Sequence, residues 1–250
     1  MNIDVTPAQI PVTVYEPFDY PLGPLHQLPT NAIGLLGKWN AVSNQYTMTS
    51  NSLTYTAFPF MGNKLESPRW GRTFRTTCDL NSDVMRRDEI LKDGHELWFS
   101  FYLGYSKANR TNGVLDLGLM SKEDSTKASV GMRVKRGLLH AVVNNEAGDS
   151  KMTGRRSAIQ MPDDDPHLIV GKVIWGKSPD AEDSVEIYRV MNIKKIGPVK
   201  LKTPISVQKG QLDQSHLDTL YIQYSERFMI DEIRVGPSYE SVLMGTINND

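Results

Sequence analysis

The chain has 250 residues, and 28 lysines and arginines against 29 aspartates and glutamates leave a formal charge of −1. That balance excludes a dedicated nucleic-acid binder, which carries a strong basic excess. The single cysteine, Cys78, excludes an intrachain disulfide and a cysteine-based metal centre.

Residues 1–11 read as an extended N-terminal arm, because Pro7 and Pro11 forbid a helix and interrupt any strand ladder. The opening residues lack the basic and apolar segments of a leader, so the chain is expected to be cytoplasmic, or a mature form whose leader was removed. No apolar run approaches the roughly 18 residues of a membrane-spanning helix, and no membrane insertion is expected. From Val12 onward short β-rich segments alternate with turn residues. Segment 52–58 alternates polar and apolar side chains, the period of a half-buried strand. Segment 96–103 is aromatic and almost continuously apolar, as a central strand would be. Segments 114–119, 128–134, 138–143, 168–175, 184–190, 219–224 and 228–236 complete the strand set. Helical signals are confined to 82–91 and to 238–243, where Ser238 is the expected N-cap. Many short strands punctuated by 14 prolines and 19 glycines point to an all-β sandwich of two antiparallel sheets. No composition shift divides the chain, so residues 12–250 read as one domain.

Two segments carry a family resemblance. The first is Tyr15-Glu16-Pro17-Phe18-Asp19-Tyr20-Pro21-Leu22-Gly23, followed by Gly37-Lys38-Trp39. The second is Asp231-Glu232-Ile233-Arg234-Val235-Gly236-Pro237-Ser238-Tyr239. Together they resemble the concanavalin A-like (laminin G-like) jelly-roll domains of bacterial surface and secreted proteins. Trp98-Phe99-Ser100-Phe101 and His167-Leu168-Ile169-Val170 resemble strands of the same family, in the same order. After Tyr188 the family often has Asn-Pro, where this chain has Arg189-Val190-Met191-Asn192. The resemblance implies a jelly roll whose first and last strands lie side by side, and an extracellular or cell-surface location.

Four kinds of chemistry follow as expectations. A structural Ca2+ would draw on Glu16, Asp19 and Asp231, brought together by the chain ends. Glycoside hydrolysis on this fold needs the paired carboxylates of an E-x-D-x-x-E strand. Glu182-Asp183-Ser184-Val185-Glu186 does not match that order, so no enzyme is expected. The five histidines are scattered and show no zinc spacing, and Cys78 reads as an inert thiol. Carbohydrate binding needs exposed aromatic rings. Trp98 and Trp175 lie in apolar strands and read as core, and Trp39 matches a family position near a core edge. Trp70, with Arg69, Arg72 and Arg75 around it, is the best candidate platform and would suit an anionic glycan. The alternative there is a solvated basic strand. Finally, arm 1–11 could mediate self-association in a structural assembly. The preferred expectation is a non-catalytic lectin-like module that binds a carbohydrate or another surface ligand through Trp70, Arg69, Arg72 and Trp39; the alternative is a structural or assembly protein that uses the sandwich as a building block.

Overall fold

The computed structural model describes residues 12–41, 46–50, 53, 63–67, 73–105, 114–123, 128–135, 137–144, 167–190, 201, 203–225 and 227–244. Arm 1–11, most of the strand expected at 52–58, and Arg69, Trp70 and Arg72 lie outside the described residues.

The alternation of apolar and polar side chains resolves into two antiparallel sheets stacked face to face. The strands are β1 (Val14–Glu16), β2 (Gly23–Pro24), β3 (Leu35–Ala41), β4 (Thr47–Ser50), β5 (Asn63–Glu66), β6 (Phe74–Leu80), β7 (Glu96–Tyr105) and β8 (Val114–Met120). They continue as β9 (Ser129–Lys135), β10 (Leu138–Asn144), β11 (His167–Ile174), β12 (Asp183–Val190), β13 (Ser206–Gly210), β14 (Thr219–Tyr224) and β15 (Phe228–Gly236). One sheet has nine strands in the order β13-β12-β11-β7-β15-β5-β4-β2, with β1 also on β15. The other has six, in the order β10-β9-β8-β14-β6-β3. Non-sequential neighbours such as β7 beside β15 and β8 beside β14 are the long returns of a jelly roll. The all-β concanavalin A-like sandwich expected from the sequence is the fold observed.

Period-2 alternation sends Leu97, Phe99, Phe101 and Leu103 of β7 inward, where they meet Leu115, Leu117 and Leu119 of β8 and Leu220 and Ile222 of β14 in one core. Gly171 is required there: a Cβ on it would lie 1.9 Å from the Phe99 ring. At one edge the sheets are tied together by side chains. Ser206 Oγ accepts from the Ala141 backbone N–H at 2.9 Å, and Gln208 donates to the Val143 carbonyl at 3.2 Å. These bonds satisfy edge-strand groups that would otherwise offer a pairing template.

The first and last strands pair as the resemblance implied, with Val14 opposite Val235 and Glu16 opposite Ile233. The last strand serves two short partners in turn. Its first half pairs with β5, its second half with β1, and a bulge between Asp231 and Arg234 marks the handover. Glu232 sits in that bulge with a left-handed backbone, φ 55°. Two short α-helices and two 3-10 turns, Leu25–Gln27 and Gln214–His216, complete the described residues. Asn81 caps α1 (Ser82–Arg87), accepting from Asp83 N–H at 3.1 Å. Ser238 caps α2 (Tyr239–Met244) by accepting from Ser241 N–H at 3.2 Å, as expected.

Candidate functional site

The outer face of the nine-stranded sheet can be read as four rungs across β7, β11 and β12. Glu96 pairs with Ile174, and Ile174 with Ser184. Trp98 pairs with Lys172, and Lys172 with Glu186. Ser100 pairs with Val170, and Val170 with Tyr188. Tyr102 pairs with Leu168, and Leu168 with Val190. Since side chains in register share a face, these twelve residues form one surface.

That surface is half filled and half open. The Tyr102, Leu168 and Val190 rung is fully buried, and it packs with Val170, Leu53 and Leu243 into a second apolar cluster outside the sheet. Helix α2 supplies that cover. Ser100 Oγ donates to the Val242 carbonyl at 2.7 Å, and Arg234 donates to the Leu243 carbonyl at 3.4 Å. Gly236 lets the helix come this close, since a Cβ there would lie 2.2 Å from Ser241 Oγ. The Glu96 and Trp98 rungs, by contrast, are half-buried throughout, as is Tyr188 on the third.

The open half is a bonded array of rings and charges. Glu96 accepts from the Trp98 indole N–H at 3.0 Å and from Lys172 Nζ at 2.7 Å, so both its oxygens are engaged. Lys172 Nζ also lies 5.2 Å from the centre of the Trp98 ring, a cation–π distance. The Tyr239 ring stands 5.5 Å away on a tilted plane. Next to them Tyr188 donates its hydroxyl to Glu186 Oε2 in a short contact. Burial and then this carboxylate hold the Tyr188 hydroxyl above its ordinary pKa. Glu186 stands opposite Lys172 in the ladder, two residues before Tyr188 on β12.

Trp98 therefore differs from the expectation of a core residue: it lies on the outward parity of β7, half-buried at the margin of the second apolar cluster, with the Tyr239 ring of α2 beside it. Trp175 is buried as expected and donates to the Ile90 carbonyl at 2.6 Å. Trp39, named above as a ligand contact, is a correction in the other direction. It is 1% exposed, stacks on Phe18 and donates its indole N–H to Glu16 at 2.9 Å, so it offers no face to a ligand. Of the arginines around Trp70, the described Arg75 lies on the six-stranded sheet, where its Nε donates to Gln223 at 2.8 Å. Cys78 is buried, and burial pushes its thiol up to about 12, which keeps it protonated.

The acids named for calcium are not gathered in one place. Glu16 follows Val14 on the inner parity of β1 and is fully buried in the sandwich. It accepts from Phe18 N–H at 2.8 Å, Tyr20 hydroxyl at 2.6 Å and Trp39. Burial pushes its carboxyl up to about 7 against the pull of these donors. Asp231 faces the opposite side of the sheet, where it accepts from the N–H groups of Leu53 at 2.9 Å and Glu232 at 3.0 Å. Asp19 is exposed. Among the described residues no group of three or more His, Cys, Asp or Glu side chains converges on a point. Carboxylates on two faces of one sheet do not fit the roughly six to eight oxygens that calcium takes. Their work is structural: Glu16 closes the turn after β1, and Asp231 anchors the bulge.

No protein-family model matches the sequence, and no curated protein does. Solved structures do. A protein of unknown function from Shewanella oneidensis MR-1 aligns with a TM-score of 0.50 and 12% identity, over 92% of this chain and 89% of its own. The catalytic domain of a GH131 beta-glucanase from Podospora anserina aligns with a TM-score of 0.50 and 9% identity, over 84% of this chain and 89% of its own. The binding domain of botulinum neurotoxin serotype D aligns at 0.44 with 9% identity over 80% of this chain, which spans only 43% of that one. At such identities the likeness is one of fold.

Proposed function

We propose that this chain is a non-catalytic carbohydrate-binding module whose ligand lies on the open half of the nine-stranded sheet. The reading rests on one observation: Trp98 and Tyr188, with Lys172 and Glu186 between them, form a half-exposed array on a face that is otherwise filled. A pyranose offers an apolar C–H face to a ring and a rim of hydroxyls to fixed polar groups. The rings supply the platform, and Glu186 Oε1 accepts a hydroxyl. The bonds from Glu96 to Trp98 and Lys172 hold that platform in place before any ligand arrives, which lowers the ordering cost of binding. The fold's resemblance to surface and secreted modules supports an extracellular setting for the same activity.

The expected result is that an immobilised glycan array retains the wild-type chain and loses it on Trp98→Ala, with the variant still folding cooperatively. Retention of the variant on the same glycans would sink this reading. Cleavage of a retained oligosaccharide, seen as new reducing or unsaturated ends, would replace it with an enzymatic one.

A further inference from the structure

A cavity of about 440 Å3 lies at the end of the sandwich beside α1, and none of its lining residues belongs to the rungs described above. Leu80 at the end of β6, Met85 of α1, Leu91 after it and Leu217 before β14 give it an apolar interior. Its volume is within the range of small-molecule sites, roughly 300–1,000 Å3. The two walls are joined, since Gln214 Nε2 donates to Asp93 in a close contact. The turn that carries its rim is strained, with Glu89 in a left-handed backbone, φ 53°.

Charge at the mouth selects the ligand. Glu89 is engaged by Lys92 at 2.8 Å and faces His95 at 3.6 Å. Asp218 Oδ1 accepts from Lys122 N–H and from the Thr219 hydroxyl, each at 2.8 Å. Of the two lining cations, Arg86 is the more weakly anchored. Its ion-pair partner among the described residues is Asp83 at 3.6 Å, and both side chains are more than three-quarters exposed, at 77% and 87%. Exposed pairs of this kind exchange partners readily. A guanidinium at the lip of an apolar pocket matches a carboxylate on an apolar tail, with two parallel hydrogen bonds to the head.

We propose that this cavity binds a small amphiphilic carboxylate, its tail among Leu80, Met85, Leu91 and Leu217 and its head on Arg86. The inference is independent of the carbohydrate reading. Sodium octanoate, octanol and octyltrimethylammonium, titrated into the full chain and followed by methyl NMR, test tail and head separately. Octanoate is expected to shift the methyls of Leu80, Met85, Leu91 and Leu217 and to bind about tenfold tighter than the other two. Arg86→Gln is expected to remove that tenfold preference while octanol affinity stays the same. Ser215→Trp, an exposed position on the lip, is expected to block all three without touching the interior. Failure of octanoate to move those methyls, equal affinity for the ammonium probe, or a preference that survives Arg86→Gln would each overturn the proposal.

Discussion

The filled and open ends of the outer face are built on the same three strands with the same alternation, yet they do different work. At the filled end the outward residues are Tyr102, Leu168 and Val190, and the chain returns as α2 to cover them. At the open end the outward residues are Trp98, Lys172 and Glu186, which find their polar partners in the adjacent rungs, Glu96 for the first two and Tyr188 for the third, and stay half-buried. An apolar rung demands a lid, because leaving it wet forfeits about 25 cal/mol per Å2 of apolar surface. A rung of paired charges and rings makes no such demand and so remains accessible. The difference separates a covered surface from a half-exposed one within about one strand length.

The largest test of that separation is Leu168→Ala. It empties a buried site beneath α2, and the expected loss is about 2–5 kcal/mol of unfolding free energy by denaturant titration. The corresponding Trp98→Ala loss is expected to be clearly smaller, because the ring is only half-buried. Equal losses would mean that both ends are core.

Next in size is the buried acid on the other face of the sheet. Glu16 has its folded pKa raised from 4.5 to about 7, chiefly by burial. A raised folded pKa means the native state holds a proton that the unfolded chain releases, so the stabilisation is present below about pH 4.5 and is lost as pH rises through about 7. At about 1.4 kcal/mol per pKa unit the change is at most on the order of 3–4 kcal/mol. Protonated Glu16 can donate to the Tyr20 hydroxyl, whose own proton then turns from Glu16 to Thr30 Oγ1, 3.0 Å away. Glu16→Gln is expected to flatten the fall in denaturation midpoint between pH 4.5 and 7. An unchanged slope would assign the dependence elsewhere, with Glu232, also raised by burial, as the next group to replace.

Smaller again is the lid itself. Ser238→Ala removes the hydroxyl that accepts from Ser241 N–H, at a cost of about 1 kcal/mol. It should raise hydrogen exchange in α2 and leave the β7 and β11 amides protected. Uniform acceleration would show that α2 and the sheet open together.

Much of this was legible in the sequence, and the residues show why. Strands β7 to β12, β14 and β15 announce themselves by sustained alternation or apolar runs, and Ser238 by its place before an apolar stretch. The pairing of the first and last strands was legible because both segments resemble the end strands of jelly-roll domains. β6 was not, since its inward residues Phe74, Thr76 and Cys78 include small and polar side chains that mimic a solvated segment. Trp98 was misassigned because a strand apolar on both parities looks buried on both. Its half-open state depends on Lys172 and Gly236, which become its neighbours only through strand register. Glu16 and Asp231 looked like co-ligands because motif spacing does not report face. Parity along β1 and the bulge in β15 send them to opposite sides.

The smallest expected effect sharpens the comparison most. Lys172→Met keeps the alkyl stem that lies along Trp98 and deletes the charge that bridges it to Glu96. The lysine side chain is 19% exposed and its partner 42%, so water can take over at the freed Glu96 oxygen and screening limits the pair's net worth. The stability change is expected to be below about 1 kcal/mol. Binding should respond more, because the cation no longer fixes the ring against which a sugar would stack. A glycan affinity that falls severalfold with an unchanged denaturation midpoint would place Lys172 in recognition. A stability loss above about 2 kcal/mol would instead make the open end a structural part of the sheet, since only a well-desolvated pair costs that much to break.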